Sequence, residues 1–200
     1  SLVPAPAAEP QAAASQEPAS SSSAPPSTPE KKEVDSAGAA REALPELLKN
    51  LIKAAQFLQK DNPADPLPYR LLRLALWGEA MRLPDSPAGG DAAMIQDLDK
   101  RMTGRDYPGV LADAEARLAN EPFWLDLNYY SCRAMEGMGY AYDVARKVVA
   151  EETASLVRRM PDLLSANLSG GVPAAGATVR VWITNELLLG SGTSASTGAK

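Results

Sequence analysis

Leu44, Leu47, Leu48, Leu51, Ile52, Ala55 and Leu58 recur at spacings of three, four and seven, so the chain has one apolar helix face from 44 to 58. Pro45 stands early in that run. Either the regular helix starts there, with proline in its first turn, or the helix is kinked there. Asp61-Asn62-Pro63 ends it. Asp65-Pro66 predicts the next helix as N-cap and first-turn proline, and Tyr69, Leu72, Leu76, Trp77 and Ala80 share a face. Leu83-Pro84 stops this helix, and the Asp-Ser-Pro-Ala-Gly-Gly that follows reads as a loop. A shorter helix follows Asp91 (Met94, Ile95, Leu98, Met102) and ends near Gly104. Asp106 caps a fourth, through Val110, Leu111, Ala114 and Leu118 to about Ala119. Pro122 predicts the start of a fifth, carrying Phe123, Trp124, Leu127, Tyr130, Ala134 and Met138. Gly139 is placed to stop it, where a left-handed residue is needed. The sixth runs from about Ala141 to Met160, with Val144, Val148, Ala154, Leu156 and Val157 apolar, and Pro161 terminates it.

The rest of the chain is less regular. Leu163 to Leu168 reads as a short extended stretch, and Gly170-Gly171-Val-Pro as a turn. From Thr178 to Leu189 two patterns compete. Val179, Val181 and Ile183 alternate like a strand, while Val179, Trp182, Ile183 and Leu187 fit a helix. Helix is preferred, because no second strong strand exists to pair with it. The expected fold class is therefore all-α, a compact bundle of about seven helices arranged largely as antiparallel hairpins. Trp124, Leu127, Gly139 and Tyr140 loosely follow the spacing of a tetratricopeptide-like pair, but without three repeats no solenoid is expected.

Both ends change character. Residues 1–35 are almost entirely Ala, Pro, Ser, Glu and Gln, too poor in apolar side chains to offset the entropy of ordering them. They read as a disordered interdomain linker, stiffer where proline is dense. Residues 190–200 read as the start of a second, Gly/Ser/Thr-rich linker. The helical body is then 36–189, and a body with a linker at each end reads as the middle of a longer protein.

Charge and chemistry narrow the function classes. A net charge of -5 and no Lys/Arg cluster larger than a pair argue against nucleic acid or an anionic membrane as partner. No apolar run approaches the roughly 20 residues of a membrane span. The chain has no histidine, which removes the commonest general base, the commonest metal ligand and the usual activator of a nucleophilic Ser or Cys. Cys132 then reads as a small apolar filler on a helix. The acidic pairs Asp97/Asp99, Asp113/Glu115 and Glu151/Glu152 are spaced like solvated helix faces rather than a metal cluster. No phosphate-binding glycine loop is present: Gly89-Gly90 and Gly170-Gly171 lack the strand before and the helix after. No catalytic, cofactor or metal residue is expected, and no small-molecule substrate. Tyr69, Trp77, Phe123 and Trp124 fit a hydrophobic core at helical spacing. Tyr129 and Tyr130 are adjacent and cannot both face inward, so they and Trp182 are candidate interface residues.

Two segments carry a resemblance. The first is Asn62-Pro-Ala-Asp-Pro-Leu-Pro-Tyr-Arg-Leu-Leu-Arg-Leu-Ala-Leu-Trp-Gly-Glu, which includes Tyr69, Arg70, Arg73 and Trp77. The second is Asn120-Glu-Pro-Phe-Trp-Leu-Asp-Leu-Asn-Tyr-Tyr, followed by an alanine-rich helix and Pro161-Asp-Leu-Leu. In this order and spacing they resemble the TssA family of type VI secretion proteins, of the ImpA or VasJ type, over roughly residues 36–188. The likeness is to the middle domain of longer members, between an N-terminal ImpA-type domain and a ring-forming C-terminal domain. It implies a cytoplasmic, non-enzymatic assembly factor that works with the baseplate, tube and sheath of a contractile machine. One departure stands out. Relatives commonly read Asp-Gly-Thr-Pro-Phe-Ala-Asp after the Pro-x-Leu-Leu segment, where this chain has Ser169-Gly-Gly-Val-Pro-Ala-Ala-Gly, without the acidic and aromatic residues.

Two function classes follow. The first is a self-associating scaffold module, a homodimer as an isolated domain and part of a larger ring in the full-length protein. The second is a generic helical adaptor that takes a partner's peptide beside Trp124 and Tyr129/Tyr130. A carboxylate-based enzyme is the weakest third, since it needs convergent acids in a pocket.

Overall fold

The computed structural model describes residues 34–80 and 82–189. Among them, seven α-helices make up the body: α1 Ala37–Asp61, α2 Pro66–Trp77, α3 Ala92–Thr103, α4 Tyr107–Leu118, α5 Leu125–Met138, α6 Asp143–Arg159 and α7 Ala177–Trp182. No strand occurs among the described residues; the nearest to one is an isolated bridge between Asn167 and Pro173. The linker readings for 1–33 and 190–200 lie outside the described residues.

Local chemistry explains most helix starts. Asp65 accepts from the Leu67 amide, Asp91 from those of Ala93 and Met94, and Asp106 from that of Gly109. Each carboxylate satisfies amides that the first turn leaves unpaired. Gly139 ends α5 with φ 93°, a conformation that other residues rarely adopt.

Four boundaries correct the sequence reading. α1 starts well before Pro45: Ser36 caps it by accepting from the Ala39 amide, and the alanine-rich turns that follow carry the helix through the proline. α5 starts at Leu125 rather than Pro122. Glu121–Trp124 form a turn instead, and the Leu125 amide donates to the Ala174 carbonyl at 2.7 Å. Leu163–Leu168 is not extended throughout. Pro161–Ser165 is a 3-10 turn, and only the following residues pair, Leu168 to Val172 and Ala174 to Ala166. α2 ends at Trp77, short of the expected stop at Leu83-Pro84 and without Ala80. The 178–189 stretch, by contrast, is helical as preferred, α7 continuing into a π-helical turn, Ile183–Leu189.

The principal packing pairs are α4 on α5, α1 on α2, α5 on α6 and α2 on α6. Three are hairpin neighbours; the α2–α6 contact closes the bundle. Trp77, Trp124, Tyr69, Leu72, Leu98, Leu118, Leu125, Leu127, Met135, Leu156 and Leu163 are fully buried at its centre. α1 stands apart from this core. It is 25 residues long against 12 for α2, and Ala55 alone of its residues is fully buried. At about 1.5 Å per residue, roughly half of α1 extends past the end of α2.

Candidate interaction surface and the polar core behind it

Arg73 of α2 is fully enclosed, 0% exposed, and faces Glu115 of α4, 1% exposed. Its Nη2 and Nη1 donate to the two carboxylate oxygens at 2.7 and 3.1 Å, the forked geometry that suits guanidinium to carboxylate. Asn128 of α5 accepts from Arg73 Nε and Nη2 at 3.1 and 2.8 Å. Ser131 donates to Glu115 at 2.7 Å. The guanidinium also lies 5.8 Å from the Trp77 ring centroid. One network thus binds α2, α4 and α5 by charge-assisted bonds inside an apolar core. Glu115 is not on a solvated helix face, contrary to what its spacing from Asp113 suggests. The sequence does carry a signal: Glu115 lies four residues after Leu111 and three before Leu118, on the apolar stripe of its helix. Arg73 sits the same way, midway between Tyr69 and Trp77.

The other acidic residues divide. Asp113 is on the solvent side and pairs with Arg101, as do Asp97 and Asp106. Glu151 and Glu152 are near Arg70 across the α2–α6 contact. Asp99 accepts from the Tyr130 hydroxyl at 2.7 Å. Among the described residues, no three His, Cys, Asp or Glu side chains group as metal ligands would.

The resemblance residues are mostly structural. The Tyr69 hydroxyl donates to the Pro63 carbonyl at 2.7 Å, and Trp77 Nε1 to the Pro122 carbonyl at 2.9 Å. These bonds tie the α1–α2 corner and the α4–α5 corner to α2. Phe123, Trp124 and Leu127 are buried, and Arg70 is half-exposed. Of the candidate interface residues, Tyr130 and Trp182 lie inside this chain's own core. Tyr129 bridges them edge-on, at 5.5 and 5.4 Å between ring centroids, and keeps one edge at the surface under Arg133. Among the described residues there is therefore no peptide groove beside Trp124; its indole donates to Asp126 at 2.9 Å within the core.

The altered turn is docked. Ser169 and Gly170 amides donate to the Pro87 and Gly89 carbonyls at 2.9 and 2.7 Å, and Ser169 Oγ accepts from Gly89. Gly170 is required by proximity, since a Cβ there would collide with the Gly90 carbonyl oxygen. Asp126 accepts from the Gly176 amide at 3.0 Å and pins the far end of the segment. Burial raises the Asp126 carboxyl above the usual carboxylate range.

The surface of the described residues includes two sizeable hollows. One, about 360 Å³, has Cys132 at its base among Arg133, Glu136, Arg146 and Glu186. Burial pushes the Cys132 thiol up to about 12, so it has no thiolate to offer. The charges around it pair with each other, Arg133 with Glu136 and Glu186 and Arg146 with Asp143. The other hollow, about 370 Å³, lies between the C-terminal part of α1, α4 and the 3-10 turn Tyr140–Tyr142, and its walls are mainly apolar. Apolar side chains also stand open elsewhere, Leu47, Phe57 and Leu58 on α1 and Leu67 and Leu74 on α2.

Fold and surface together define an all-helical domain whose buried charges hold its own helices and whose open apolar side chains concentrate on its first two. No helix among the described residues is long and apolar enough to cross a membrane. The family model described as type VI secretion, EvfE, EvfF, ImpA, BimE, VC_A0119, VasJ matches residues 42–200, and the chain belongs to that family. Comparison with individually curated proteins gives no match.

Proposed function

We propose that this chain is a non-enzymatic scaffold module of a TssA-like protein, acting in the bacterial cytoplasm during assembly of the baseplate, tube and sheath. In this reading 36–189 is the middle domain, flanked by linkers at 1–35 and 190–200, and it self-associates. The observation that supports it is α1. Its long overhang carries Leu44, Leu47 and Leu48, none of which packs on the core of the described residues, and Leu47 is 55% exposed. Open apolar surface of this kind marks association surfaces in water-exposed domains. A closed two-fold pair is the commonest arrangement for such a module.

Light scattering on a sample on the order of 50 µM should give a mass near twice 21.1 kDa. Leu47→Glu with Leu58→Glu should return it to a monomer and leave the circular dichroism melt unchanged. A wild-type monomer at that concentration removes the self-association, though not the family. The rival adaptor reading no longer rests on Trp124; the groove beside α4 is where it would have to act.

A further inference from the structure

Resting on the self-association proposed above, we infer that two copies exchange the N-terminal halves of α1. Each half lies antiparallel to the other copy's α1, in the groove between that copy's α1 and α4. The molecule holds both parts of such a joint. α1 packs on α2 and α4 on α5, and the space between the two pairs, about 370 Å³, runs beside the C-terminal part of α1. Leu111 and Tyr142 give it an apolar lining, and Pro108, Ala112 and Ala116 form its wall on α4. These three recur every four residues and are exposed, so one side of α4 is flat enough for another helix to approach closely.

The occupant is chosen by pattern, charge and area. Leu44, Leu47, Leu48 and Leu51 stand at i, i+3, i+4 and i+7, the anchor spacing of a helix that lies in an apolar groove. None of the four packs on the core of the described residues. Leu48 and Leu44 are about two and about three turns before Ala55, so they share its side of the helix. One face is thus continuous. Its C-terminal part is covered at Ala55 by this chain, and antiparallel pairing about a two-fold axis turns its N-terminal part onto a second core. Gln56 and Lys60 lie on one flank of that face and Leu47 on the other. The flank that meets the second copy's α1 therefore leaves Leu47 against the α4 wall. With the axis near Lys53, Glu46 falls opposite the second copy's Lys60, and the symmetry makes this pair twice. About 11 residues of helix, roughly 16 Å long and half enclosed, bury on the order of 600 Å² counting both surfaces. Two reciprocal seats reach about 1,200 Å², the lower edge of a stable interface, whereas one alone would be transient.

Two single variants of the full chain, Leu47→Cys and Ala112→Cys, test the seat by cross-linking; the enclosed Cys132 stays unreacted. Mixed under mild oxidation, they should form a disulfide-linked dimer whose joined peptides map to positions 47 and 112, several-fold more than either variant forms alone. A bond between two Leu47→Cys chains, as in a face-to-face pairing of the open stripes, overturns the exchange and leaves self-association standing. So does the absence of any bond in a chain that scatters as a dimer. A wild-type monomer at about 50 µM removes both readings. Ala112→Glu with Ala116→Glu, both at exposed positions on the groove wall, should raise the dimer's dissociation constant at least about tenfold and retain the far-ultraviolet circular dichroism. Lys60→Glu should weaken the dimer too, and Glu46→Lys added to it should restore the affinity to within a few-fold. A dimer unmoved by the wall variant, or a charge exchange that restores nothing, overturns this seat.

Discussion

At the scale of residues, the Arg73–Glu115 pair has the largest consequences. Removing one partner of a buried ion pair leaves the other charge unpaired, at a cost of about 3–5 kcal/mol. Glu115→Gln should lower stability by that order, a large share of a typical domain's roughly 5–15 kcal/mol. Arg73→Met combined with Glu115→Leu should be markedly more stable than either single variant, because it removes both charges. Urea midpoints of the four proteins decide it, and strictly additive losses would sink the coupling. Asp126 behaves in the opposite sense to a paired surface acid. Burial raises its pKa, so the folded chain holds the proton more tightly than the unfolded chain, whose value is near about 3.9. Stability from this group is greatest below the unfolded value and falls as pH rises through the folded one. Asp126→Asn removes that slope, so the melting-temperature difference should move in the variant's favour as pH rises above about 4, the unfolded value. Neither residue's role is stated by the sequence. Asp126 follows a tryptophan by two positions and looks like an ordinary first-turn acid; its partner amide, Gly176, is 50 residues away. Glu115 is readable in principle from its place on an apolar stripe.

At the scale of elements, boundaries set by local chemistry were legible and those set by distant contacts were not. Asp65, Asp91 and Asp106 cap helices with their own side chains, and the sequence states this directly. α5 starts three residues after Pro122 because Leu125 bonds to Ala174, which no local pattern encodes. The same holds for Ser169-Gly170, which looks like a free turn and is docked on Pro87–Gly90. Gly170→Val should therefore undock two loops together and cost about 1–3 kcal/mol, as overpacking commonly does. Gly38→Ala is the contrasting change. The site is open, with Ser36 Oγ 3.9 Å from where the added methyl would stand, so a gain of up to about 1 kcal/mol is expected. Thermal melts of the two variants should move in opposite directions.

At the scale of the whole molecule, helix content and hairpin order followed from periodicity. The closure of α2 on α6 did not, because it joins segments far apart in sequence and rests on the shape of a packed core. The surface was the least legible part. Periodicity identifies the apolar face of a helix without saying whether this chain or another covers it. The α1 stripe reads as one continuous face from Leu44 to Leu58, yet only Ile52 and Ala55 of it pack on the core of the described residues, while Leu47 and Leu58 stand open. Only the length mismatch between α1 and α2 reveals where cover ends. Hydrogen exchange should report that boundary. Amides before about Asn50 should exchange near the rate of an isolated helix, and those from Ile52 to Asp61 at least about tenfold more slowly. Uniform protection of a monomer along α1 would refute the division.

That same overhang has a mechanical meaning. If a pull is applied through Val34, the force enters along the axis of a rod anchored only at its far half. The first turns would unwind one at a time, each yielding a few ångströms of slack, before any core contact is loaded. The yield should rise abruptly where Ile52 and Ala55 begin to be gripped. In a force-extension trace this is a gradual lengthening followed by a single sharp rupture, the signature of a shock absorber in series with a rigid block.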